Sequence, residues 1–377
     1  MLVDINSRML SPKIKRNIYR ILPFGFIWLL FSLVYSLLEK GLLGRLNYYP
    51  ATGNPYNFLN AIAITPFAAF IMGLSIGTLE ILYINKWFMQ MSFGRKIFYK
   101  SVIYLLVICL FLIFVVALAN YFELDTGFFS GRLWNFVWAF FFTYTFLSIV
   151  FYIAAIILVS LFYAEVSDNV SPGVLQNFFI GKYHKPVEEE RIFMFLDMKS
   201  STTIAEHIGH IRYFEMLKEY YSDLSGPIIN YSGEIYQYVG DEIVVSWNLK
   251  SGLQNSNCIN CFFDIKAVIK RQAGKYKDSF GLSPEFKAGF HLGKVTAGEI
   301  GVIKKEIIFT GDVLNTTARI QGLCNSYDVD IIISDSLVRR LDLLTGFQVR
   351  SLGENVLKGR DEKIELFTIT AIEEIQQ

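Results

Sequence analysis

Four long apolar runs fill the N-terminal part of the chain, and beyond them short apolar stretches alternate with charged ones. Residues 21–38 (ILPFGFIWLLFSLVYSLL) carry no charge, residues 58–83 carry only Glu80, and residues 101–122 and 133–163 carry none. A helix needs about 20 apolar residues to cross the hydrocarbon core of a bilayer, so each run reads as a membrane-spanning helix. The competing reading, four helices buried in a large soluble protein, leaves too little remaining sequence to cover them. As one helix the fourth run would extend about 46 Å, longer than a bilayer is thick. It is therefore expected to leave the membrane as a helix and run towards residues 164–190, ending near the turn residues of SDNVSPGVL (167–175). The pattern divides the chain into a four-helix transmembrane domain (1–163), a linker or transducer segment (164–190) and a further domain (191–377).

In that last domain the period changes repeatedly. RIFMFLD (191–197) reads as a strand, and residues 203–231 read as one helix with apolar Ile204, Ile208, Ile211, Phe214, Met216 and Leu217. EIYQYVG and IVVSW flank a tight GDE corner, the signature of a hairpin. A helix follows at about 255–275. FKAGFHLGKVTAGEIG (286–301) looks like two strands punctuated by glycine, and DVLNTTARIQGLC (312–324) like a helix capped by Asp312. The strand DIIIS (330–334), a short helix and two terminal strands complete an α+β pattern, one sheet with helices on one face. The fold class expected is an α-helical membrane domain plus an α+β domain.

Charge sets the orientation. Arg8, Lys13, Lys15, Arg16 and Arg20 precede the first run, and Lys86, Arg95, Lys96 and Lys100 lie between the second and third. The other two loops hold Lys40, Arg45 and Arg132. By the positive-inside rule both termini and the 84–100 loop are expected in the cytoplasm of a multi-pass inner or plasma membrane protein, in contact with membrane lipid. The first run is too long for a signal-peptide core and is read as retained. A net charge of +1 with 18% charged residues argues against a nucleic-acid partner. Cys258 and Cys261 form a CxxC with no second pair or nearby His to complete a zinc set, and their helical context favours two small core residues. Glu80 is either a functional buried acid or, more simply, an acid snorkelling to the interface from the end of the second helix. Tyr48, Tyr49 and Tyr56 suit an interfacial aromatic belt.

Two carboxylates then stand out. Asp197 closes the first strand of the C-terminal domain, and Asp241 follows Gly240 at the hairpin tip. On neighbouring strands both emerge at the same edge, where two acids repel unless a cation lies between them. Oxygen donors of this kind suit Mg²⁺ or Mn²⁺. Lys199, Ser200, Ser201, Thr202 and Thr203 lead into a helix start, whose free N–H groups can hold phosphate. Asn315 and Arg319 are four apart on one helix and share a face.

F-x-D-M-x-x-S-T, G-D-E in a hairpin and T-G-D-V-L-N-T-T-A-R-I together resemble the class III nucleotide cyclase catalytic domain, over about residues 188–372. The resemblance implies a ferredoxin-like core acting as a head-to-tail homodimer with each site at the subunit seam. It implies that Asp197, Asp241 and the Met198 carbonyl hold two Mg²⁺ or Mn²⁺ per active site. The partner subunit would supply Asn315 and Arg319, which position the ribose and stabilise the transition state. VLKGRDEKIELF matches the segment that touches the terminal phosphates, with Lys358 and Arg360 as candidates and Arg360 preferred.

The chain departs from the family at the base-reading positions. Adenylate cyclases place Lys where this chain has Gln237, and Asp or Thr where it has Ile308; guanylate cyclases place Glu and Cys there. ATP is the substrate expected, with GTP or both nucleotides as the alternative. A non-catalytic, receptor-like protein with a degenerate cyclase fold is the rival from another class, although both acids, the Asn and the Arg are present. VGDEI also resembles the G-G-D-E-F turn of diguanylate cyclases, but Val239 replaces the first Gly and the N-x-x-x-R pair is foreign to that family. The membrane domain is expected to act on the catalytic domains by repacking the fourth helices.

Overall fold

The computed structural model describes residues 11–50, 55–88, 91–124, 127–170, 177, 180–342, 346–359 and 362–372. The chain separates into two compact units, residues 14–176 and residues 177–377 together with 1–13.

Among the described residues of the first unit, four helices are long and apolar enough to cross a membrane: Pro12–Leu43, Phe58–Trp87, Phe93–Leu118 and Tyr144–Asn169. The first three cover the expected apolar runs. The fourth run is not one helix. It breaks into Gly131–Phe141 and Tyr144–Val170. Thr143 causes the break: its hydroxyl donates to the Phe140 carbonyl at 2.7 Å and accepts from the Phe146 N–H at 3.1 Å, capping the second piece. Apolar content could not reveal a cap made by one Thr within an aromatic run.

Glu80 does not snorkel. It is 2% exposed and opens a single π-helical stretch, Glu80–Ile84. Lys100 Nζ donates to it at 2.6 Å and Tyr104 at 2.9 Å, and Lys100 also donates to Asn85 Oδ1 at 2.9 Å. Lys96 pairs with Glu165 at 2.7 Å, and Arg20 and Asn85 both reach Asp168. Charges on four helices are thus matched inside the bundle, which removes the need to reach water.

Among its described residues the second unit contains one mixed sheet of eight strands: β1 Val187–Met198, β2 Glu234–Val239, β3 Glu242–Asn248, β4 Phe286–Ile300, β5 Glu306–Thr310, β6 Ile331–Ser334, β7 Phe347–Val356 and β8 Lys363–Ala371. Their order is β2-β3-β1-β4-β6-β8-β7, with β5 paired to the far end of β4. Only β4 and β6 run parallel among these pairs. Alternation along β1 sorts the two faces. Ile192, Met194, Leu196 and Met198 enter a core with Met216, Tyr220, Phe262 and Ile265 from the helices His210–Asn230 and Asn257–Arg271, and Cys258 and Cys261 are buried there as free thiols.

Phe193 and Phe195 face the other way, against Val295 of β4 and Val313 of the helix Asp312–Gly322. Helices therefore cover both faces rather than one. Residues 286–301 do not make two strands either: β4 continues through its glycines, which serve packing instead of turns. A Cβ at Gly289 would lie 2.4 Å from the Gln321 backbone N, and one at Gly293 would lie 3.0 Å from Val313. The expected 203–231 helix is also divided, into Ser201–Ile208 and His210–Asn230, at Gly209 with φ +82°.

Candidate active site

Asp197 is the penultimate residue of β1 and Asp241 sits in the turn between β2 and β3. Antiparallel pairing of Leu196 with Ile243 brings Asp197 to the level of that turn. Gly240 adopts φ +64°, a conformation glycine takes without strain. Tyr221, on the helix His210–Asn230, donates to the Gly240 carbonyl at 2.8 Å and packs against the tilted ring of Tyr238 at 4.5 Å between centroids. The tip is thereby tied to the core, and the two acids meet.

Burial pushes the Asp197 carboxyl above its ordinary range, and the adjoining Asp241 carboxyl, within hydrogen-bonding reach, pushes it further. Lys287, its partner across β4, opposes the shift from 3.4 Å. Burial, then the charges of Asp197 and Asp241, raises Glu242 to about 7. One oxygen of Asp241, Oδ2, is buried without a hydrogen-bond partner. Crowded carboxylates held above their ordinary range, with an unpartnered buried oxygen among them, are a donor set that a cation would stabilise. Among the described residues no cluster of three or more metal-ligating His, Cys, Asp or Glu forms. The donors are a hard-oxygen pair beside the end of β1, and they fit Mg²⁺ or Mn²⁺.

The other expected residues occupy varied positions. Met198 is buried in the core through its side chain, so its carbonyl at the end of β1 is what it offers. Ser200 caps the helix Ser201–Ile208 in a left-handed conformation with no side-chain cap bond, and Thr202 is exposed in the first turn. Ser201 hydrogen-bonds Tyr213 instead, whose hydroxyl is pushed up to about 12, chiefly by burial. Lys199 is directed away, paired with Asp330 at 2.6 Å and Glu285 at 3.6 Å. Asn315 is exposed and Arg319 half-buried on the helix Asp312–Gly322, which is preceded by a Gly311 cap and begins at Asp312. Neither side chain forms a hydrogen bond or ion pair among the described residues, so both remain available to a ligand or a second chain.

Gln237 is exposed beside the irregularity in β2, and Ile308 lies half-buried on β5 opposite Gly298. Their neighbours join: the Phe309 N–H donates to the Tyr236 hydroxyl at 3.2 Å, the two rings lie 5.0 Å apart, and the Arg191 guanidinium covers Phe309 at 4.7 Å. Lys358 is exposed, next to a Gly359 that approaches the Arg319 guanidinium. Arg360 lies outside the described residues. Sequence reasoning missed Lys287 and Gln321, both of which touch Asp197. Strand pairing opposite Asp197 would have found Lys287, had β4 been read as one strand.

An Adenylate and Guanylate cyclase catalytic domain model matches residues 183–371, and the chain belongs to this family. It therefore carries the catalytic domain of a nucleotide cyclase, joined to four helices of membrane-spanning length. It is similar to adenylate cyclase 2 of Rhizobium meliloti (strain 1021), 36% identical over 211 residues, covering 56% of this chain and 58% of that protein. It is 25% identical over 211 residues to an adenylate cyclase of Anabaena cylindrica, covering 54% of this chain and 40% of the other. The chain thus spans about half the length of these curated relatives. Among solved structures, the adenylyl cyclase CyaB from P. aeruginosa is 18% identical, with TM-score 0.44 over 49% of this chain and 96% of that one.

Proposed function

We propose that this chain is a membrane-bound adenylate cyclase that converts ATP to 3′,5′-cyclic AMP and pyrophosphate at the seam of a homodimer. The observation that carries this reading is the contact between Asp197 and Asp241 at one sheet edge, with Asp241 Oδ2 buried and unpartnered. Asp197, Asp241 and the Met198 carbonyl would hold two Mg²⁺ or Mn²⁺, which when bound lower the pKa of the attacking 3′-hydroxyl and neutralise the leaving pyrophosphate. The remaining work falls to the chain. Tyr221 holds the turn that presents Asp241. The first turn of the helix Ser201–Ile208 offers N–H groups and the Ser200 and Thr202 hydroxyls to phosphate oxygens, while the Ser201 hydroxyl is engaged by Tyr213. Lys287 places an ammonium beside the acids, where it can pair with the triphosphate, and Arg360 is proposed for the terminal phosphate.

Asn315 and Arg319 of the partner subunit would orient the ribose and meet the charge that develops on the transferred phosphoryl group. Their lack of side-chain partners among the described residues supports a role across the seam. Gln237 can donate and accept, so it suits either purine edge, while Ile308 offers only apolar contact. GTP is accordingly the second substrate to test. The positive-inside pattern supports cytoplasmic catalysis.

The deciding experiment offers ATP and GTP separately, with Mn²⁺, to purified full-length protein and identifies the product. Cyclic AMP formation is expected, abolished in D241A. Cyclic GMP would redirect the substrate assignment. No cyclic nucleotide from either substrate would favour the receptor-like alternative.

A further inference from the structure

Gln321 sits at the end of the helix Asp312–Gly322 and is 7% exposed. Its Nε2 donates to Asp197 Oδ2 at 3.1 Å. The approach is built into the backbone, because β4 lacks a Cβ at Gly289, where one would lie 2.4 Å from the Gln321 N and 2.7 Å from its Cα. Lys287 reaches the same Oδ2 at 3.4 Å from β4. The two contacts differ in kind. An ammonium competes with any cation for the carboxylate's charge, whereas a neutral amide directs the carboxylate and leaves that charge in place.

We propose that Gln321 is a positioning residue that fixes the orientation of Asp197 and so sets the affinity of the acid pair for a divalent cation. The inference rests on reading that pair as the cation site. Groups that hold a ligating side chain in its binding orientation tune metal affinity, and losing one typically costs about 10–100-fold in affinity or activity. The same short helix carries Asn315 and Arg319, so one rigid element places the grip on Asp197 and the groups proposed for the partner's pocket together.

The test uses full-length protein in detergent with Mn²⁺ alone, free Mn²⁺ being read by electron paramagnetic resonance. Q321M keeps the side-chain volume and removes the donor. Its Kd for Mn²⁺ should rise about tenfold or more, and the Mn²⁺ concentration for half-maximal activity should rise in parallel. Turnover at saturating Mn²⁺ should stay near that of the wild type. A merely structural role would lower the melting temperature and turnover without moving the Kd. A folded Q321M with wild-type Mn²⁺ affinity overturns the assignment. Should Q321M fail to fold, Q321N retains the amide one methylene short of Asp197 and is expected to show the same loss; unchanged affinity there is equally fatal. A wild type that binds Mn²⁺ but makes no cyclic nucleotide defeats the cyclase reading and leaves the effect of Gln321 on affinity to be decided by the Kd.

Discussion

Glu242 shows what the acid pair imposes on its neighbourhood. Its carboxyl rises from 4.5 to about 7 through burial and the charges of Asp197 and Asp241. A raised carboxyl keeps its proton in the folded protein at pH values where the unfolded chain has released it. Its contribution to stability is therefore fully present below about pH 4.5 and is lost as pH rises through about 7. In metal-free protein, E242Q should match the wild type's melting temperature at about pH 4 and exceed it increasingly up to about pH 8. Thermal unfolding across that range checks this, and a gap independent of pH would show that Glu242 is not under this pressure. Saturating Mn²⁺ should shrink the gap, because a cation relieves the crowding.

Elements, rather than single residues, carry the N-terminal helical unit. Glu80, Lys100 and Tyr104 join the second and third helices of spanning length, and Lys96 with Glu165 joins the third to the last. Lys100 is 2% exposed, so its ion pair with Glu80 is desolvated. Removing one partner strands the other's charge. K100M should cost about 3–5 kcal/mol of stability, and the double change E80M with K100M should recover most of it. Thermal unfolding in detergent gives both values; equal losses in single and double variants would mean that the pair is not the cause. In the catalytic unit, the glycines of β4 play the comparable part by letting the helix Asp312–Gly322 lie directly on the sheet.

At the scale of the whole molecule, the proposed site divides between two copies: acids from one, amide and guanidinium from the other. Coexpression of D197A with R319A should therefore yield mixed dimers with one intact site and restore activity that each variant lacks alone. Cyclic AMP production by the copurified pair measures this, and an inactive mixed dimer would place all four groups in a single chain. The helices of spanning length, the alternation of elements in the catalytic unit, and the placing of Asp197 at a strand end, Asp241 in a hairpin turn and Asn315 and Arg319 on one helix were legible in the sequence, because periodicity, hydropathy and local turn chemistry depend on near neighbours along the chain. The break at Thr143, the burial of Glu80, the continuity of β4, the diversion of Lys199 to Asp330 and the convergence of Lys287 and Gln321 on Asp197 were decided by tertiary structure. Each depends on which distant backbone comes close enough to supply a partner or exclude water. A carboxylate, an ammonium or a glycine has the same local signature whichever neighbour the fold brings to it.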